Sequence, residues 1–154
     1  MNRFRLAAVA ALAAPALLLW ASLAHADQVY HSHHYDLTPI NGAPLQSGFV
    51  ENIHPNGPNV YAHENYVLNG ATPDTSYQVV LSIWTSNLTC SGSPDLQIPT
   101  AVLGTNVSGN GKAEHVFTPA DADGLHGHTV SLMWQVLAGG APAYETGCEV
   151  VTLD

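Results

Sequence analysis

Ser76-Tyr-Gln-Val-Val-Leu-Ser-Ile-Trp84 decides the fold class. Tyr77, Val79, Leu81 and Ile83 alternate with Gln78 and Ser82, the two-residue period of a strand with one face turned to a core. Farther along, His128 to Leu137 repeats the pattern, with Val130, Leu132, Trp134 and Val136 on one face and Thr129, Ser131 and Gln135 on the other. Val60 to Leu68, Thr100 to Val107, Lys112 to Thr118 and Tyr144 to Leu153 read as further strands, and Gly48 to Ile53 as a shorter one. Asn110-Gly111 between two of them is a hairpin signal, Ala138 to Pro142 is a glycine-rich turn, and Pro119 to Gly124 suits one helical turn. About seven short antiparallel strands, with no sustained 3.6-residue period after Ala26, predict an all-β immunoglobulin-like sandwich.

Gly70-Ala-Thr-Pro-Asp-Thr-Ser-Tyr77-Gln-Val-Val is followed later by Thr105-Asn-Val-Ser-Gly-Asn-Gly-Lys-Ala-Glu-His-Val-Phe117. The first resembles the turn-then-strand signature of fibronectin type III and related bacterial immunoglobulin-like domains, and the second resembles their strand, glycine turn and strand ending in an aromatic. The resemblance implies an architecture and no catalytic residues. The antibody pattern is not met: Trp134 lies much nearer the second cysteine than the first, and Tyr144 is four residues before Cys148 rather than two.

Residues 1–26 read as a secretory signal peptide. Arg3 and Arg5 precede an apolar run from Leu6 to Leu23, and Ala24-His25-Ala26 is a small-residue cleavage site. Pro15 interrupts the run and no basic stop-transfer flank follows, so a membrane anchor is not expected. Residues 27–47, with Tyr30-His-Ser-His-His-Tyr-Asp36 and then Pro39, Asn41-Gly42 and Pro44, read as an irregular histidine-rich arm. Residues 48–154 form the sandwich domain. The expected location is periplasmic or secreted.

Cleavage after Ala26 leaves Lys112 as the only Lys or Arg, against twelve carboxylates, a formal balance of −11. Such a surface repels nucleic acid and anionic lipid, because both are bound by basic side chains that neutralise phosphate. The absence of arginine also removes the bidentate clamp for phosphorylated or carboxylated substrates. Cys90 and Cys148 are the only cysteines, and export to an oxidising compartment predicts one disulfide between them. Its closed loop would stabilise the fold by roughly 4 kcal/mol.

Eight histidines follow residue 26, and imidazole is the commonest transition-metal ligand. In an extended chain His31 and His33 share a face, with His34 opposite, and His126 and His128 form a second pair. Asp36, Asp121 or Asp123 could complete a nitrogen and oxygen site suited to zinc or Cu(II). Gly124-Leu-His-Gly-His128 resembles the histidine-rich strand end of copper,zinc superoxide dismutases, although the arginine and second histidine-glycine segment of that family are absent. Cleavage after Ala24 instead would leave His25 as N-terminus, similar to the histidine brace of lytic polysaccharide monooxygenases and periplasmic copper carriers. His63, His115 or His128 would then supply the other imidazole.

Asp121-Ala-Asp-Gly124 resembles the start of a calcium loop but lacks the later acidic positions, and an ordinary capped turn explains it better. No Gly-x-Ser-x-Gly elbow or His-Glu-x-x-His helix occurs. Tyr30, Tyr35, Tyr61, Tyr66 and Trp84 could form an exposed aromatic patch. The functional expectation is therefore a non-catalytic exported module that binds a protein or carbohydrate, with a zinc- or copper-binding protein as the alternative and a copper enzyme behind it.

Overall fold

The computed structural model describes residues 31–54 and 61–153, with an all-β architecture of two facing antiparallel sheets. Residues 1–26, read from the sequence as a signal peptide, and Tyr30 lie outside the described residues. In chain order the strands are β1 (His31–Asp36), β2 (Thr38–Pro39), β3 (Ser47–His54), β4 (Ala62–Asn69), β5 (Ser76–Trp84), β6 (Leu96–Gly104), β7 (Gly111–Phe117), β8 (Thr129–Ala138), β9 (Ala141–Glu145) and β10 (Glu149–Thr152). A single 3-10 turn, Pro119–Ala122, joins β7 to β8. One sheet has the order β1-β3-β4-β7; the other runs β2-β9-β8-β5-β6, with β10 also on β8.

The two strands read most directly from sequence are neighbours at the centre of the second sheet, paired from Tyr77↔Ala138 to Trp84↔Ser131. Their alternating apolar positions all face inward, where Val79, Val130, Trp134 and Val136 are fully buried. The opposing layer comes from Val50 on β3 and from Ala62, Tyr66 and Leu68 on β4, whose buried residues alternate along its whole length. Apolar burial between the layers is the main stabilising term, at about 25 cal/mol per Å² removed from water.

Three extra strands take the expected seven to ten. Residues 31–39 are not an irregular arm: β1 pairs with β3 from His31↔His54 to Asp36↔Phe49, and β2 pairs with β9 in the opposite sheet. An edge strand needs a partner only for its backbone, so His-Ser-His-His-Tyr-Asp forms one despite its polarity. Leu37, buried at the crossing between β1 and β2, hydrogen-bonds through its N–H to the Gly48 carbonyl (2.8 Å). The last expected strand is broken into β9 and β10. Gln135 faces Glu145 while Leu132 faces Glu149, which leaves one extra residue in the outer strand around Thr146–Cys148.

Asn110-Gly111 does not close a hairpin. β6 and β7 belong to different sheets, and the intervening turn is an arch held by Asn106, whose Oδ1 accepts the Ser108 and Asn110 N–H groups at 2.9 and 3.0 Å. β3 and β4 lie side by side in the first sheet, and the chain then crosses to the second sheet for β5 and β6, back for β7, and over again for β8 and β9.

Gly109 in this arch has φ +74°, and a Cβ there would fall 2.0 Å from the Ala71 carbonyl oxygen, a backbone atom that cannot step aside. Gly109→Ala is expected to destabilise the fold by more than ~2 kcal/mol, combining left-handed strain with the clash, read as a lowered urea midpoint at unchanged slope.

Candidate functional site

Cys90 and Cys148 form the expected disulfide, with an S–S distance of 2.11 Å and a Cα–Cα distance of 5.7 Å. The described histidines fall at several places in the fold, with His54 and His126 both edge-on to Tyr61 at 5.5 Å. His33 points to the inner side of β1 and stacks on Tyr35 (6.1 Å between centroids), whereas His34 points outward over Phe49 (4.4 Å) with its Nε2 3.3 Å from the Asp36 carboxylate. His31 sits in register with His54 across the β1–β3 ladder. His126 and His128 lie in a tight turn rather than an extended chain, so they do not share a strand face, and His126 meets Tyr61 edge-on at 5.5 Å. His63 is paired with Glu114 at 3.2 Å, and His115 packs edge-on against Phe117 at 4.4 Å. Among the described residues no group of three or more His, Cys, Asp or Glu side chains could hold a metal ion. Asp121 caps its own turn, accepting the Thr118 N–H and Oγ–H at 2.7 and 2.8 Å, and these bonds hold its carboxyl below the usual range.

The expected aromatic patch is not a surface feature either. Tyr66 and Trp84 are buried and Tyr35 and Tyr61 are half-buried. One of these rings, Tyr66, instead bonds to an acid that the sequence did not flag. Glu64 lies on the inward phase of β4 between Ala62 and Tyr66 and is only 1 % exposed. Its Oε1 accepts the Asn52 carboxamide N–H from β3 at 2.9 Å. Its Oε2 accepts the Trp134 indole N–H from the facing sheet at 2.9 Å and a short hydrogen bond from the Tyr66 hydroxyl. Tyr35 lies over Trp134 in a stacked arrangement, centroids 5.0 Å apart. Desolvation raises the Glu64 pKa to about 7, although all three donors pull it down. Burial, and after it the same carboxylate, raises the Tyr66 pKa. The in-register row His33↔Asn52↔Glu64↔His115 therefore runs across the inner face of the first sheet.

A second feature is on the surface. The outer face of β5 is also covered, contrary to its alternating pattern: Val80, Ser82 and Trp84 are buried, and residues 85–95 pass over its Trp84 end. That loop is tied down by the disulfide, by the Trp84 indole N–H donating to the Gly92 carbonyl (3.3 Å) and by Ser131 Oγ–H donating to the Asn87 carbonyl (2.9 Å). Asp95 anchors its end by accepting the Thr85 N–H (2.7 Å) and Oγ–H (2.9 Å). Between loop and sheet is an open cleft of about 320 Å³ with Ser82, Gln97, Gln135 and Glu145 along its floor. Gln97 donates to Ser82 Oγ at 3.2 Å and Gln135 to Glu145 at 3.4 Å, so both carboxamide oxygens remain available as acceptors. No lysine or arginine lines it.

Among the described residues no helix is long and apolar enough to cross a membrane. Comparison with protein-family models, with curated proteins and with solved structures finds no match.

Glu64 makes stability depend on pH in a definite direction. Its folded pKa, about 7, lies above the ordinary 4.5, so the folded chain binds more protons between these values. The contribution is full below pH 4.5 and is lost as pH rises through 7, on the order of 3 kcal/mol in all. Urea unfolding at pH 5 and pH 8 should show wild type losing stability over this interval relative to Glu64→Gln, whose side chain does not titrate.

Proposed function

We propose that this chain is an exported, non-catalytic binding module of the envelope or extracellular space, and that it takes a neutral carbohydrate in the cleft beside the disulfide loop. The signal-like segment 1–26 and the pairing of the only two cysteines support export. The observation that carries the ligand class is the cleft floor: two carboxamides, a hydroxyl and a carboxylate, with no basic side chain. These are the groups that hydrogen-bond hydroxyls, while Glu145 and the acidic surface disfavour anions. Trp84 and Pro94 provide apolar walls beside this floor. The half-buried positions of Gln135 and Glu145 on paired strands hold their spacing without ordering a loop on binding.

Titration of the disulfide-bonded chain with a panel of neutral oligosaccharides, followed by NMR, is expected to shift resonances of Gln97, Gln135 and Met133. The double variant Gln97→Ala, Gln135→Ala should weaken this binding roughly tenfold or more, the loss of two hydrogen bonds to a desolvated ligand. Binding that survives the double variant, or a panel that leaves the cleft unperturbed, overturns the assignment.

A further inference from the structure

We propose that Asn41 is a self-modification site: its side chain condenses with the Gly42 backbone nitrogen, releases ammonia and reopens with water to aspartate and isoaspartate, while one shared hydrogen bond shields two other Asn-Gly pairs. The sequence holds four such pairs, at 41–42, 56–57, 69–70 and 110–111, of which the second lies outside the described residues. Glycine after asparagine favours the reaction because no side chain hinders the approach to its nitrogen. Three further conditions apply: an exposed asparagine, a glycine N–H not held by an acceptor, and a backbone able to rotate until Cγ meets that nitrogen. Asn41 and Gly42 meet them. Both are exposed, at the centre of a two-residue turn with φ +52° and +75°, closed by the Ala43 N–H donating to the Ile40 carbonyl at 3.1 Å. Among the described residues neither the Asn41 carboxamide nor the Gly42 N–H has a hydrogen-bond partner, and the space beside Gly42 is open to 4 Å.

The pairs at 69–70 and 110–111 guard each other. The Gly70 N–H, the nitrogen that Asn69 would need, donates to Asn110 Oδ1 at 3.0 Å, and that oxygen belongs to the carboxamide that would have to swing toward Gly111. One bond thus occupies the nitrogen of one pair and the side chain of the other. Asn69 is fixed further at the end of β4, where its Nδ2–H donates to Ser47 Oγ (3.1 Å) and its carbonyl accepts the Gln46 N–H (2.9 Å). The Asn110 backbone is held at both ends by Asn106, its N–H donating to Oδ1 (3.0 Å) and its carbonyl accepting the N–H (2.9 Å). Gly111 then opens β7 in register with Leu68, packed against the Gly104 carbonyl.

At Asn41 a base removes the Gly42 amide proton, the nitrogen attacks Cγ, and the Cγ–Nδ2 bond breaks as Nδ2 leaves with a proton as ammonia. Water opens the resulting cyclic imide at either carbonyl, giving aspartate from the side-chain carbonyl's hydrolysis and isoaspartate from the main-chain one's. One water is consumed, one ammonia is released, and no electrons are exchanged. The isoaspartate backbone is longer by one carbon and carries a new carboxylate. Its place matters because the turn finishes the strap between the sheets: just before it β2 pairs with β9, and the Ile40 N–H donates to the Ala143 carbonyl at 2.8 Å.

Incubation of the intact disulfide-bonded chain at mildly alkaline pH, with peptide mapping by mass spectrometry at intervals, tests the assignment. Asn41 is expected to convert roughly tenfold or more faster than Asn69 and Asn110, because several hydrogen bonds must open before either of those can react. In urea the three should convert at similar rates, since only the local sequence then acts. Asn110→Ala removes the acceptor of the Gly70 N–H and should raise the Asn69 rate roughly fivefold, leaving Asn41 unchanged. In the isoaspartate form, separated by its added charge, the Ile40 amide should exchange roughly fivefold faster. If Asn110→Ala fails to fold, the wild-type rates in buffer and in urea decide the matter alone. An Asn41 rate no greater than the other two, a difference that persists in urea, an Asn69 rate untouched by Asn110→Ala, or unchanged exchange at Ile40 would each overturn the proposal.

Discussion

A carboxyl group placed between two sheets dictates what may surround it. Among the described residues Glu64 has no lysine or arginine within reach, since the only one there, Lys112, lies on the outward phase of β7. Its neighbours must then be hydrogen-bond donors, and they come from three strands and both layers: Asn52, Tyr66 and Trp134. An unpartnered buried polar atom costs about 1–3 kcal/mol, so each of these bonds restricts how the sheets can slide past one another. Apolar side chains of the right volume would fill the same space without fixing a register. The polar cluster adds the directional constraint and makes the protonation of one side chain matter to the whole sandwich.

Much of this architecture was legible in the sequence because its central strands are buried on one face at least and so must alternate. β5 and β8 were marked by Tyr77, Val79, Leu81, Ile83, Val130, Leu132, Trp134 and Val136, and the paired cysteines by the compartment that the first 26 residues imply. What stayed hidden was held by backbone pairing or by remote partners. β1 carries three histidines and an aspartate in six residues, and only its ladder to β3 makes it a strand. The break between β9 and β10 depends on Trp134 bonding to Thr146, a contact twelve residues away. Asn110-Gly111 has hairpin chemistry, but the segment is an arch held by Asn106 and by the Ala71 N–H donating to the Gly109 carbonyl (2.9 Å).

The Glu64 site had a signal that was available: it shares parity with Ala62, Tyr66 and Leu68 on one strand. Its meaning depended on Asn52 and Trp134, twelve and seventy positions away, whose convergence only the fold supplies. The cleft was hidden for the opposite reason. Ser82, Gln97, Gln135 and Glu145 look like an ordinary solvated sheet face until residues 85–95 fold across it and the disulfide holds them there. The same loop explains why Ser82 and Trp84 are buried on the face that alternation assigned to solvent.

The crossing of the first strand from one sheet to the other bears on when the fold can be finished. Pro39 pairs with Tyr144, and the Tyr144 hydroxyl donates to the Pro44 carbonyl one hundred positions away (2.8 Å). The beginning of the domain therefore waits for its end: β3 to β7 can assemble as the chain emerges, but the strap that ties both layers has no seat until β9 has been made. Such late, non-local closure slows folding and leaves a sheet margin unprotected in the interval. A chain that must keep Cys90 apart from other thiols until Cys148 arrives, fifty-eight residues later, is under the same timing constraint.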